Sequence, residues 1–135
     1  MFNVVAYLLP ILPSRTLFLP LPQNKRPKIM RQLFVYNNDT FAGTLTEVER
    51  GGRCRFEYDA EYLASPLQGI SFTLPKRSEP YEAEHLFPFF VAMLPEGANR
   101  RYVCRSHHID EQDFFGLLTA MAGADFIGAV NVRKQ

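Results

Sequence analysis

Arg53–Tyr58 alternates without a break: Cys54, Phe56 and Tyr58 are apolar or aromatic, and Arg53, Arg55 and Glu57 between them are charged. A period of two puts the first set on one face of a strand and the second on the other. A strand with one buried and one wet face belongs to an antiparallel sheet covered on a single side. This constrains the fold more than anything else in the chain, because it excludes a helix bundle and a parallel sheet buried on both faces.

The neighbouring segments extend that sheet. Gln32–Tyr36 reads as a strand with Leu33 and Val35 on one face and Phe34 and Tyr36 on the other. Asn37-Asn38-Asp39 is turn chemistry. Phe41–Val48 returns as a second strand, in which Gly43 weakens the pairing or marks a bulge. Gly51-Gly52 turns the chain into the alternating strand. Asp59 starts a helical turn over residues 59–64. Ile70–Leu74 alternates again, with Ile70, Phe72 and Leu74 expected inward and Ser71 and Thr73 outward. Pro75–Pro80 is a polar loop between prolines.

From Leu86 the pattern becomes helical. Leu86–Leu94 is apolar nearly all round, which predicts a buried helix with Pro88 in its first turn and Pro95 as its stop. Asn99–His107 is a second, more polar helix. A third starts at Asp110, taken as its N-cap with Asp113 at N3 and with Ile109 and Phe114 as a hydrophobic staple. Phe114, Leu117, Leu118 and Met121 then share a face, and Gly123 ends the helix. Phe126–Val132 is a last strand. The fold class is α+β: a small antiparallel sheet, open or barrel-like, about three helices packed on it, and a closing C-terminal strand that rejoins it.

Charge divides the chain. Residues 1–30 hold Arg15, Lys25, Arg26 and Lys28, no acid, and five of the ten prolines. The remainder holds 11 basic and 14 acidic residues. The boundary separates a Pro-rich tail, disordered or upstream of a natural start at Met30, from a domain over 31–135. The tail's apolar run is followed rather than preceded by positive charge and is broken by prolines, unlike a secretory signal, and it is too short to span a membrane. Two cysteines make no disulfide scaffold, so a reducing cytoplasm is the expected location. A formal net charge of +1 argues against a nucleic-acid-binding face and for a chain that touches no DNA directly.

No residue set has the spacing of a catalytic centre. Cys104, His107 and His108 are close in sequence, but zinc needs a second ligand cluster and the chain offers only His85. The plain alternative is a helix with one buried cysteine and two solvent-facing histidines. Gly116, Gly123 and Gly128 fit neither a dinucleotide fingerprint nor a P-loop, so no cofactor is expected. Glu79, Glu82 and Glu84 read as a solvated face rather than an acid–base pair. Arg100, Arg101 and Arg105 could grip a carboxylate or phosphate, or could pair with those acids.

Two longer runs carry a resemblance. Residues 86–101 read LFPFFVAMLPEGANRR and 114–132 read FFGLLTAMAGADFIGAVNV. Together they resemble the N-terminal subdomain of the HipA-type Ser/Thr kinases, the toxins of bacterial toxin–antitoxin pairs, over about residues 31–132. In those kinases the subdomain leads the chain and packs on a kinase core that carries the catalytic and ATP-binding residues. The resemblance therefore transfers no catalytic role. Leu94, Pro95, Glu96, Gly97, Gly116, Gly128 and Ala129 match as scaffold positions. The sequence stops at Gln135 where a HipA kinase continues, so the expected likeness is to HipS, the free-standing antitoxin of the three-part HipB–HipS–HipT systems. What this implies is a non-enzymatic partner that binds and inhibits a HipA- or HipT-like kinase, in company with a HipB-like helix-turn-helix protein. The alternative is a structural subunit that completes a split kinase and its DNA-bound repressor complex. A small thiol enzyme using Cys104 is a third, remote reading. The residues expected to meet a partner are Lys76, Arg77 and Tyr81 from the loop and Arg100 and Arg101 from the helix.

Overall fold

The computed structural model describes residues 30–124 and 128–134. The expected tail and the start of the expected last strand, including Phe126 and Ile127, lie outside them.

Three strands form a meander: β1 (Arg31–Asn37), β2 (Thr40–Glu47) and β3 (Cys54–Tyr58). Asn38 makes the first reversal with φ 56°, a left-handed conformation that asparagine tolerates. A short β4 (Tyr81–Ala83) pairs antiparallel with β3, and β5 (Val130–Arg133) pairs antiparallel with β1, giving the order β4-β3-β2-β1-β5. The closing strand does rejoin the sheet, but β4 and β5 remain as edges and the sheet is open rather than a barrel.

The inner face carries Leu33, Val35, Leu45, Cys54, Phe56, Tyr58 and Val132, all buried. The alternation in β3 holds residue by residue. In β2 the bulge falls at Ala42, beside Gly43: Val35 faces Gly43 and Tyr36 faces Phe41. The extra residue keeps Leu45 inward while turning Phe41 outward against Phe34 and Tyr36. Gly43 itself is required by close approach, since a Cβ there would lie 2.2 Å from the Glu57 carbonyl oxygen.

Four helices pack among the described residues. Asp59 caps α1 (Ala60–Ala64) by accepting from the Glu61 and Tyr62 amides. The expected buried helix shrinks to one turn, α2 (Pro88–Val91). Pro88 opens it, and after Val91 the chain tightens, with the Met93 and Leu94 amides donating to Phe90 and Val91. Its burial is one-sided: Leu86, Phe87, Phe90 and Leu94 enter the core, while Phe89 and Met93 are only partly covered.

α3 (Gly97–His107) is the polar helix, and α4 (Phe114–Met121) follows. The N-cap of α4 is Asp113, not Asp110: its carboxylate accepts from the Gly116 amide at 3.0 Å. Asp110 instead closes the preceding turn, accepting from the Gln112 amide at 2.8 Å. A short side chain at either position can satisfy backbone donors. Asp113 wins the cap because Arg31 holds it in place. The buried face of α4 is Phe115, Leu117 and Leu118, with Phe114 and Met121 at its margins.

Candidate interaction surface

Between α1 and β4 the chain runs through a loop that should be the least ordered part of the domain, yet it is bolted down. Tyr58 and Tyr62 stack with centroids 5.8 Å apart and planes 10° apart. The Tyr58 hydroxyl accepts from the Ile70 amide at 2.9 Å and donates to the Leu74 carbonyl, so one phenol holds both ends of a five-residue turn. Burial pushes this phenol's pKa up, so it stays a donor throughout the neutral range. The Tyr62 hydroxyl accepts from Asn37 at 2.8 Å and reaches the Gln68 carbonyl. Lys76 folds back, donating to the Ser65 and Leu67 carbonyls at 2.7 Å each.

Within this frame residues 70–74 form a tight reversal, not the expected strand. The Leu74 amide donates to the Ser71 carbonyl at 3.1 Å, and the Ser71 hydroxyl accepts from the Thr73 amide at 3.2 Å. Serine and threonine offer the backbone local partners that compete with a ladder. Ile70 and Leu74 point inward as expected, but Phe72 stands at the tip, fully exposed.

Lys76, Arg77 and Tyr81 belong to this region. Tyr81 donates to the Pro75 carbonyl at 2.6 Å. Arg77 lies over the Tyr81 ring, 3.7 Å from its centroid, and donates to the Glu79 and Pro80 carbonyls. The loop is therefore braced by the side chains expected to leave it. Arg100 on α3 donates to the Pro95 carbonyl at 2.9 Å and lies 5.3 Å from the Phe114 centroid. Arg101 is exposed beside a different depression, with Arg105 and Glu111. Among the described residues no hydrogen bond joins the loop set to the α3 set.

Two adjoining depressions lie beside this loop, and Phe72 borders the smaller of them. One, of about 450 Å³, is lined by Phe72, Pro75 and Lys76; the other, of about 710 Å³, by Met93, Leu94 and Val130. They share Gln68, Gly69, Ile70 and Phe89.

The other candidate chemistries do not assemble. Cys104 is buried, and desolvation pushes its thiol up, away from a reactive thiolate. Cys54 is likewise buried and pushed up to about 11. His107 and His108 are exposed. Among the described residues no three His, Cys, Asp or Glu side chains are placed to hold a metal ion. Glu82 pairs with Arg55 at 3.2 Å on the wet face of the sheet. No described helix is long and apolar enough to cross a membrane.

One arrangement was invisible beforehand. Arg31 reaches both Glu47, at 2.7 Å, and Asp113, at 2.8 Å. Among the described residues Glu47 is the one buried charged side chain, 3% exposed, and its carboxylate also accepts from the Gly51 amide. Desolvation alone would lower the Arg31 pKa, but hydrogen bonds to both acids outweigh it and raise it. The Arg31 hydrogen bond is also the main reason that Asp113 titrates below the usual carboxylate range. Gly116 makes room for the contact, since a Cβ there would sit 2.3 Å from the Asp113 carboxylate. The partners are separated by 16 and 82 residues, and nothing local in the sequence signals them.

Comparison with known proteins agrees with this architecture. The family model of the HipA N-terminal domain matches residues 33–133. An uncharacterized protein of Haemophilus influenzae is 32% identical over 104 residues, a match covering 77% of this chain and 91% of that protein. The "Putative kinase Y4mE" of Sinorhizobium fredii is 30% identical over 107 residues, covering 78% of this chain and 25% of that protein. Among solved structures, the N-terminal domain of HipA toxin superposes with a TM-score of 0.59 at 23% identity, covering 82% of this chain and 97% of that one. The match runs from Leu33 in β1 through the α3–α4 pair to Arg133 in β5, and this chain belongs to the HipA N-terminal domain family.

Proposed function

We propose that this chain is a non-enzymatic, cytoplasmic antitoxin that binds a HipA- or HipT-like Ser/Thr kinase and inhibits it by blocking or distorting its active cleft. The observation that carries the reading is a contrast between two relatives. The same domain accounts for 91% of the matched Haemophilus influenzae protein and for only 25% of Y4mE. A module found both nearly alone and as the minor part of a putative kinase is suited to act on a kinase from outside. The candidate chemistry supports this, because the cysteines are buried with raised pKa values and Glu47, Asp113 and Glu82 pair with arginines. A HipB-like helix-turn-helix protein would supply DNA contact in the complex, and no cofactor is required.

Co-expression with a HipA-like kinase of the same genome that lacks this subdomain tests the reading. Relief of growth arrest together with copurification is expected. Arrest that persists, with no copurification, removes it.

The covalent union of domain and remainder in Y4mE favours a second reading, in which this chain completes a split kinase and its DNA-bound repressor complex. A phosphorylation assay separates the two: inhibition predicts that activity falls when the chain is added, completion that it rises or holds.

A further inference from the structure

We infer that Phe72 is the anchor through which this chain docks on its kinase partner, entering an apolar pocket whose rim offers a carboxylate or carbonyl to Lys76. The inference rests on the antitoxin reading and adds the surface to it.

Phe72 differs from the other uncovered apolar side chains. On the outer face of the sheet, Phe34 and Tyr36 pack against Phe41 with centroids 5.4 and 5.5 Å apart, and the Arg133 guanidinium lies 4.1 Å from the Tyr36 centroid. Those rings already have partners. Tyr102 is exposed on α3, between Arg101 and Arg105 in a charged setting. Phe72 has neither. Its whole ring faces solvent, on a turn whose two ends are held by the Tyr58 hydroxyl and whose neighbouring segment is held by Tyr62 and Lys76. A large aromatic on a backbone fixed before binding loses little conformational freedom when it docks, which is what distinguishes a binding anchor from an incidental exposed residue.

The surroundings specify what would receive it. Leu67 is also exposed, and Phe89 and Met93 are half-covered, so the apolar area continues past the tip. Among the described residues, the lining of the two depressions includes one charged side chain, Lys76, and no carboxylate. The Lys76 ammonium has three N–H donors, and two are given to the Ser65 and Leu67 carbonyls. The ammonium also lies 5.4 Å from the Tyr62 centroid, and it bonds to no third acceptor among the described residues, so the remaining N–H can meet one brought by the partner. The complementary surface is therefore an apolar pocket with an acceptor at its edge, which suits a folded protein better than a polyanion.

The test measures affinity of the full chain and of Phe72→Ala for the same subdomain-lacking kinase, with thermal melting of both chains as the folding check. Because the ring touches solvent only, F72A is expected to melt like the parent chain and to bind at least about tenfold more weakly. Tyr102→Ala, outside the depressions, is expected to bind like the parent. F72A binding within twofold of the parent overturns this assignment and leaves the antitoxin reading standing. A parent chain that does not bind the kinase overturns both.

Discussion

The domain is fastened in two places by opposite means. At one end of the sheet, Arg31, Glu47 and Asp113 tie β1, β2 and the start of α4 together by charge. Beside α1, Tyr58, Tyr62 and Lys76 tie a loop to the sheet almost wholly through hydrogen bonds to backbone carbonyls and amides. The first joint connects secondary-structure elements whose positions the core already restricts. The second connects a segment that has no ladder of its own. A charged joint is strong when intact and damaging when one partner is lost, because a desolvated charge remains. A joint made of hydrogen bonds to backbone groups loses less per group, because no paired counter-charge is left buried.

Removing the arginine should have the largest effect. Arg31→Ala leaves the Glu47 carboxylate buried with the Gly51 amide as its remaining partner, and a loss of about 3 kcal/mol in unfolding free energy is expected by urea denaturation. Equal stability of the variant would mean that the joint is not electrostatic. Tyr58→Phe should come next, at about 2 kcal/mol, since it strands the Ile70 amide and the Leu74 carbonyl while keeping the ring. Its loss should be accompanied by faster amide exchange confined to residues 65–76; exchange spread evenly over the sheet would show that the loop is not a separate joint.

The smallest effect is on pH dependence. Asp113 has a folded pKa below its unfolded one, so its contribution is fully present above the unfolded value, near pH 4, and is lost as pH falls through the folded value. Asp113→Asn keeps an N-cap of similar quality but loses the charge pairing with Arg31, so it should lower neutral-pH stability by about 1 kcal/mol, and should flatten the fall in stability below pH 4. Tyr58→Phe should leave that acid limb unchanged. A matching change in both variants would merge the two joints into one.

The two regions were also unequally legible. In β3 every inward and outward position follows from alternation, because the strand is buried on one face and little else competes. Residues 70–74 alternate just as well, and there the same rule turned Phe72 the wrong way. What it could not weigh was Ser71, whose hydroxyl and carbonyl close a turn, or Tyr58, twelve residues earlier, which holds that turn shut. The cap of α4 was misplaced by three residues for a related reason: Asp110 and Asp113 are equivalent by local rules, and the choice is made by Arg31 from 82 residues away. The proposed anchor was thus hidden by the turn that exposes it. Lys76 was singled out as a candidate contact, but its two carbonyl partners could not be foreseen.

The pairing of β1 with β5 has a consequence for how such a module travels. Phe34 lies opposite Arg133 in an antiparallel pair, so the start of β1 and the end of β5 lie together at one end of the sheet. Entry and exit at a common point let a domain be spliced to another protein, or cut free, without rearranging its interior. The relatives illustrate both arrangements, one almost all domain and one mostly something else. Antiparallel closure by the last strand therefore suits this family's domain to standing nearly alone or within a longer chain without a change of fold.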